Sequence, residues 1–356
     1  MQENIEYKYF TAIEIKDWLY HNSMNGLSEK IIAKVRALSL IHHPDVTDNT
    51  VILSVVFVNN KVAGYTGMFP EKMDKPKLDK IHYWGTTLYV DPEFIGRGLG
   101  YCLMMHLKEA CDYMCLGLDS APESTYIDSK QGSIIEYYDR YLFRFRRNIH
   151  IRNYRTLLNQ ILEIKRKTVK YIRLGIIQRR IKNEKYSLEY INFIDDELYG
   201  FIKFHSSNDL FLRTQETLNW LLRYPFIVST PLSHRTHIEY AFTSTRRSCQ
   251  NFAVKVLYEG KLIGFYIIQR REPDLSVLYL YFDEDYQDKV FYSIVEHLIK
   301  FKTKDLRTFN RYLKKFLNNN RFYLWKTIEK VSFTFPSSFP IDLNLQIQGA
   351  DGDMLI

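Results

Sequence analysis

The stretch Val90-Asp91-Pro92-Glu93-Phe94-Ile95-Gly96-Arg97-Gly98-Leu99-Gly100-Tyr101-Cys102-Leu103 decides how this chain is read. The run before it, Ile81–Val90, has strand composition and stops at Asp91-Pro92. The run after it, Gly98–Tyr113, has helical composition, with Leu99, Leu103, Leu107 and Ala110 on one face. Glycine costs a helix interior about 1 kcal/mol against alanine, yet glycines stand at 96, 98 and 100, at the mouth of this helix. A helix N-terminus exposes unpaired N–H groups and the positive end of the macrodipole, and a turn without side chains lets an anion come close to them. The turn therefore reads either as a cradle for phosphate oxygens, with Arg97 adding charge, or as a tight strand-to-helix connection that binds nothing.

The nature of the phosphate is partly constrained. No Gly-Lys-Ser/Thr follows, which argues against a nucleoside triphosphatase loop. A dinucleotide fingerprint fits poorly, because Tyr101 stands where the third glycine belongs. Asp119, about 20 residues on, favours that reading; the antiparallel hairpin upstream of the turn opposes it.

The hairpin is read from Val51–Val58 and Val62–Phe69 flanking Asn59-Asn60-Lys61. Residues 7–48 show partly helical spacing, Met68–Lys80 reads as a loop, and Met114–Asp119 as a short strand. Ser133–Tyr141 is expected to be a helix and Leu142–Ile151 a strand. The second half repeats the order: a helix at Leu212–Leu222, a hairpin of Ala253–Leu257 and Leu262–Gln269, a strand at Leu275–Phe282 and a helix at Lys289–Phe301. The fold class is α+β, with one strand–helix–strand crossover after the glycines.

The segment Leu88–Leu103 resembles motif A of the GNAT (GCN5-related) acyl-CoA N-acyltransferase superfamily: a strand ending in valine, then Arg/Gln-x-x-Gly-x-Gly/Ala, then a helix. Tyr137-Tyr138-Asp-Arg-Tyr-Leu-Phe143 resembles the family's later Phe-Tyr-x-x-x-Gly-Phe helix end, and the element order agrees over about residues 50–148. Ile95 departs from the usual Arg or Gln, and Leu142 from the usual Gly. The resemblance implies two GNAT-like domains, each a mixed, largely antiparallel sheet flanked by helices: an acetyltransferase domain at 1–150, a basic linker at 151–185 and a degenerate domain at 186–356. It implies acetyl-CoA as co-substrate, with no metal, and an amine-bearing acceptor. The backbone of Leu88, Tyr89 and Val90 is then expected to pair with the pantetheine arm, and the amides of Gly96, Arg97, Gly98, Leu99, Gly100 and Tyr101 to hold the pyrophosphate. One of the Leu88–Val90 amides would polarise the thioester carbonyl.

Acyl transfer to an amine needs a neutral nucleophile and a proton for the departing thiolate. The resemblance puts Tyr138 in the second role. For the base, Trp84 stands where some members carry glutamate. His82, which shares a strand face with Trp84 and Thr86, is a candidate because it titrates near neutral pH. Asp119 and Glu123 are others, and a water relay needs none.

In the second half the place of the glycine turn is taken by Phe282-Asp-Glu-Asp-Tyr-Gln-Asp288, whose four carboxylates repel a pyrophosphate. Glu216–Trp220 and Arg223-Tyr224-Pro225 are read as core or as an acceptor pocket.

The chain has 356 residues, 46% of them apolar, enough for two ordinary domains and too many for disorder. Four cysteines make no disulfide framework, and Cys102, Cys111 and Cys115 lack a usual zinc spacing. The start, MQENIEYKYF, shows no leader pattern, and no run is long enough to span a bilayer; the expectation is a soluble, cytoplasmic protein. Residues 146–185 carry 13 Lys/Arg against 2 Asp/Glu, which leaves the rest of the chain at −3 against a total of +8. That segment reads as a basic amphipathic linker helix, or as a contact for an anionic partner such as a membrane surface or a phosphorylated acceptor. Rival functions are a CoA sensor without catalysis, a dinucleotide oxidoreductase and a nucleic-acid-binding module.

Overall fold

Two hairpins organise the molecule. In the first, β2 (Val51–Val58) and β3 (Lys61–Glu71) meet at Asn59-Asn60, both at positive φ, the geometry that two-residue hairpins favour. In the second, β10 (Cys249–Tyr258) and β11 (Lys261–Arg271) meet at Glu259-Gly260, again both at positive φ. The computed structural model describes residues 3–21, 31–74, 81–111, 114–118, 133–145, 157–229, 245–246, 248–321, 323–339 and 345–351.

Around the first hairpin lie β1 (Ile5–Thr11), α1 (Ala12–His21), α2 (Lys34–Ile41), β4 (His82–Val90), α3 (Leu99–Glu109) and β5 (Met114–Leu118). Next in the chain come β6 (Ser133–Arg144) and the long helix α4 (Leu157–Asn183). The second half follows with β7 (Tyr186–Ile191), α5 (Asp196–His205), α6 (Gln215–Arg223) and the short pair β8 (Val228–Ser229) and β9 (Thr245–Arg246). After the second hairpin come β12 (Asp274–Phe282), α7 (Gln287–Lys300), β13 (Asp305–Thr308), α8 (Arg311–Asn320) and β14 (Trp325–Pro336). Capping is local: Asp195, Thr214 and Asn310 side chains accept amides in the first turns of α5, α6 and α8.

The halves share one twelve-stranded sheet, ordered β1-β2-β3-β4-β5-β14-β6-β13-β12-β11-β10-β7. Each half ends in a parallel pair, β4 with β5 and β12 with β13. The next position in each half is filled from the other: β14 lies beside β5, and β6 lies beside β13. β6 and β14 then pair antiparallel along their full lengths, Ser133↔Pro336 to Arg144↔Trp325. The final strands of the two halves have been exchanged, so β14 lies across the boundary expected near residue 150.

This pairing corrects the expected helix at Ser133–Tyr141, which is strand. SIIEYYDRYLFR is rich in β-branched and aromatic residues, and its partner β14 lies nearly 200 residues away, where local periodicity cannot reach. Two smaller corrections have the same cause. Ile5–Thr11 is an edge strand on β2, and β3 continues through Met68–Glu71, opposite His82–Gly85, instead of ending in a loop.

One apolar cluster spans both halves on one sheet face, joining α1, α2, α5 and α6 through Trp18, Leu40, Leu198 and Trp220 to Trp84, Phe211, Phe333 and Phe335. On the other face α3 covers the first half with Leu99, Leu103, Met104 and Leu107. There α4, α7 and α8 cover the second half around Ile177, Val290, Phe291 and Leu313.

Candidate functional site

β4 leaves the sheet at Val90, and Asp91 fixes the exit. Its amide donates to Ala63 O at 2.9 Å, and its Oδ1 accepts the Glu93 amide at 3.0 Å. A 3₁₀ turn at Pro92–Phe94 buries Phe94 under Leu99. The glycine turn then opens α3. Gly96 has φ +85° and Gly98 φ +75°, a backbone region that side-chain-bearing residues adopt only at a cost. A Cβ at either position meets no atom within 4 Å, so conformation, not crowding, calls for glycine there, and the turn stands open. The helix ladder begins with Cys102 N donating to Gly98 O at 3.1 Å, so the amides of Leu99, Gly100 and Tyr101 precede the first intrahelical acceptor. Arg97 is drawn aside: its Nη1 lies 2.9 Å from a Glu3 carboxylate oxygen, and its guanidinium stacks over Phe94.

Beside the turn, β4 and β5 part. Their parallel ladder has three pairs, Tyr83–Gly85 with Met114–Leu116, although β4 runs on to Val90. Beyond it β4 bulges: Tyr65 faces Tyr89 and Gly67 faces Thr86, so Thr87 and Leu88 stand opposite Thr66 alone, and Thr87 has φ +43°. Leu88 is exposed, and Tyr89 and Val90 are half-buried. Gly100 packs against this strand end, its Cβ position 3.5 Å from Val90 and 3.6 Å from Leu88. The expected pantetheine edge and the expected pyrophosphate turn are therefore neighbours.

The face of β4 turned to the central cluster is polar in a way the sequence did not announce. The Arg36 guanidinium, buried in α2, donates to Thr86 Oγ1 and lies over Phe226. Trp84 Nε1 donates to Glu71 Oε2 at 2.6 Å, and Glu71 Oε1 lies 2.7 Å from Arg213 Nε of the second half. Tyr279, Tyr281 and Asp351 lie close enough to act on Arg213 electrostatically. Burial opposes the charge on Arg213, but the acidic groups around it raise its pKa overall. Burial pushes the Glu71 and Asp351 carboxyls up against the pull of Arg213. It pushes His43 down to about 3, with Arg213 adding to the effect. No short-range pattern marks Arg36, Glu71 or Arg213, because their partners come from distant elements.

The expected acid and bases lie apart from the turn. Tyr138 is on β6, its ring edge-on to Phe333 at 5.6 Å, and Phe333 in turn meets Trp84 at 6.2 Å. Burial first, then Glu136 and Asp351, push its phenol up to about 12, so it stays protonated at neutral pH. His82 is buried at the far end of β4, edge-on to Phe339 at 5.2 Å. At roughly 3.3 Å per residue it lies about 20 Å from Leu88. Asp119 and Glu123 fall outside the described residues. The α6 residues read as a possible acceptor pocket pack instead: Thr217 and Trp220 are buried, and Trp220 Nε1 donates to Ser39 O at 2.7 Å.

The sequence model of the Acetyltransferase (GNAT) family matches residues 20–119, the segment that holds β4, the turn and α3. Residues 20–119 are a GNAT domain. No curated protein matches the sequence. Among solved structures, the chain is similar to Saccharomyces cerevisiae N-myristoyltransferase with bound myristoyl-CoA (TM-score 0.52, 11% identity, 95% of this chain and 83% of that one). It is also similar to a GCN5-related N-acetyltransferase from Kribbella flavida (0.50, 13%, 94% and 72%) and to one from Anabaena variabilis (0.50, 10%, 93% and 72%). At these identities the likeness concerns the fold. It extends beyond the GNAT segment to both halves, which agrees with the tandem arrangement seen in the sheet.

Proposed function

We propose that the chain is an N-acyltransferase that passes an acyl group, acetyl in our reading, from acyl-CoA to a primary amine by direct attack within a ternary complex. The observation that carries this reading is the open turn with Gly96 and Gly98 at positive φ, beside a β4 edge that has left its ladder with β5. The residues fit the group. The amides of Gly96–Tyr101 suit a pyrophosphate, and the backbone of Leu88–Val90 suits an extended arm laid beside a strand edge. The bound donor supplies a thioester whose carbonyl accepts the amine.

The chain's own contribution is positional. The Thr87–Leu88 bulge sets the direction of the β4 amides at the strand end, and the Arg36–Thr86 and Trp84–Glu71–Arg213 contacts hold that strand from behind. Tyr138 is proposed from the resemblance as the proton donor to the leaving thiolate; it stands on β6, three strands from β4 in the sheet, and its protonated phenol permits the role. His82 is not favoured as base, since its distance from Leu88 requires a relay, and water can carry the proton from the amine.

The deciding experiment measures free thiol release from acetyl-CoA against a panel of primary amines, for wild type and Tyr138→Phe. Thiol release with at least one amine supports the enzyme. A fall in kcat of about tenfold or more at constant KM for acetyl-CoA supports Tyr138 as the donor. Stabilisation by CoA without turnover across the panel leaves a binding protein.

A further inference from the structure

The helix α4 carries more cation than its place as a connection between two halves requires. Residues 157–183 hold eight Lys/Arg and one acidic residue, Glu163, a net +7 in a chain whose total is +8. One side of the helix is anchored. Ile177 is buried in the second-half core with Ile181 packed beside it. Arg173 Nη1 donates to Arg321 O at 2.7 Å, and Arg180 Nη1 reaches Asn320 Oδ1 at 3.3 Å.

The other side presents apolar residues to solvent. Val169, Ile172 and Ile176 follow one another at helical spacing and are 37%, 59% and 45% exposed; Tyr171 beside them is 68% exposed. At 100° per residue, Arg179 continues the same row and Lys182 flanks it, and both are exposed.

We propose that this outer face of α4 lays the protein onto an anionic lipid surface, with the isoleucines and Tyr171 entering the headgroup boundary and the cations meeting lipid phosphates and carboxylates. Two observations point to lipid over other anionic partners. A nucleic-acid contact is driven by cations on a phosphate backbone and gains little from a row of branched aliphatic side chains. A bilayer interface takes up both kinds of group at once. The positive charge is concentrated here: the helix carries +7 within a basic segment, 146–185, of +11, while the rest of the chain sums to −3. The helix lies on the surface and does not span it: among the described residues no helix is long and apolar enough to cross a membrane. The inference stands independently of the acyl-transfer reading.

The test is sedimentation of the full chain with vesicles of phosphatidylcholine alone and with about one-third phosphatidylserine. The expected result is at least about tenfold stronger partitioning to the anionic vesicles, weakening as salt rises. Ile172→Ser with Ile176→Ser, and separately Arg179→Gln with Lys182→Gln, should each lower partitioning about tenfold. Because all four side chains are exposed, the thermal midpoint should stay at the wild-type value. Equal binding to neutral and anionic vesicles, or no response to the isoleucine changes, overturns the proposal. So does RNA or DNA binding that depends on Arg179 and Lys182 but not on Ile172 and Ile176. A dimer that forms in solution and is lost with the isoleucine changes would assign the face to a second copy of the chain and overturn it too.

Discussion

The two halves execute the same strand, turn and helix and diverge where a ligand would sit. In both, the residue after the strand donates back across the hairpin: Asp91 N to Ala63 O at 2.9 Å, and Asp283 N to Ile263 O at 3.0 Å. A lysine at the start of the preceding strand then pairs with an acid of the turn, Lys61 with Glu93 and Lys261 with Asp283. A 3₁₀ turn follows in each. The first half next inserts Ile95–Gly98, with two glycines at positive φ, before α3. The second passes from Glu284–Tyr286 into α7 at Gln287 with no insertion. Four residues separate an open glycine turn from an acidic one.

The strand edges differ in the same sense. β12, like β4, outruns its parallel partner, with a ladder of two pairs at Leu275–Ser276. But the second half covers that edge with its own chain. Ala350 N donates to Leu278 O at 3.2 Å, and a Cβ on Gly349 would fall 2.0 Å from Val277 O. The segment is held in turn by Gln348 on Asp209 and by Gln346 on the backbone at 208 and 210. A duplicated fold has kept the splayed strand pair twice, and here one splay is filled by protein. One acyl-CoA per chain is therefore the expected stoichiometry.

The largest effect should come from the contact that makes the comparison possible, the buried Arg213–Glu71 pair between the halves. Removing one member of such a pair typically costs about 3–5 kcal/mol. Arg213→Met should lower stability by that order, with one cooperative transition in urea, because exchanged strands leave neither half able to unfold alone. Two separated transitions in the wild type would show that the halves are independent. Next is Gly98→Glu, which sets a carboxylate and a strained φ at the mouth of α3. A loss of about hundredfold in CoA affinity by titration calorimetry is expected, with the circular dichroism spectrum retained. The second half has no counterpart of Gly98, and Asp285→Gly in its 3₁₀ turn should leave CoA affinity within about twofold. A rise in stoichiometry to two would erase the distinction drawn between the turns. Then Gly349→Ala should push the covering segment off β12, at roughly 1–3 kcal/mol by the cost of overpacking. An unchanged thermal midpoint would mean that the tail is not seated there.

Part of this was legible in the sequence for a physical reason. Hairpins, the strand before the glycines and the helix after them are local: Asn59-Asn60, Glu259-Gly260 and the Leu99–Leu103–Leu107 row carry their own signals. The glycine turn was legible because positive φ selects residue type. Ser133–Tyr141 reads as helix because its apolar residues do not alternate, Ile134-Ile135 and Tyr137-Tyr138 standing side by side, and pairing with the distant β14 is what makes it strand. Arg36, Glu71 and Arg213 escaped notice altogether. A charge looks solvated until the fold brings its partner, and these partners come from β4 and from the other half.

The smallest effect expected is on pH dependence, and it tests whether the second-half plug is a strained fit. Asp351 is buried beside Arg213, with Glu71 and Asp209 also close, and burial lifts its carboxyl well above the usual range. A raised acid pKa in the folded state means that the folded chain holds the proton more tightly than the unfolded one. The stability linked to Asp351 is then complete below the ordinary carboxylate range and is lost as pH rises through the folded value. Asparagine keeps an oxygen to accept the Gln348 amide, which now reaches Asp351 Oδ2 at 2.7 Å, and never ionises. Asp351→Asn should therefore raise the thermal midpoint at pH 7–8 by on the order of 2 °C and converge on wild type near pH 4. The opposite ordering, with the variant less stable at neutral pH, would show that an ionised Asp351 is held by Arg213, and that the tail closes the second-half cleft through charge as well as through packing.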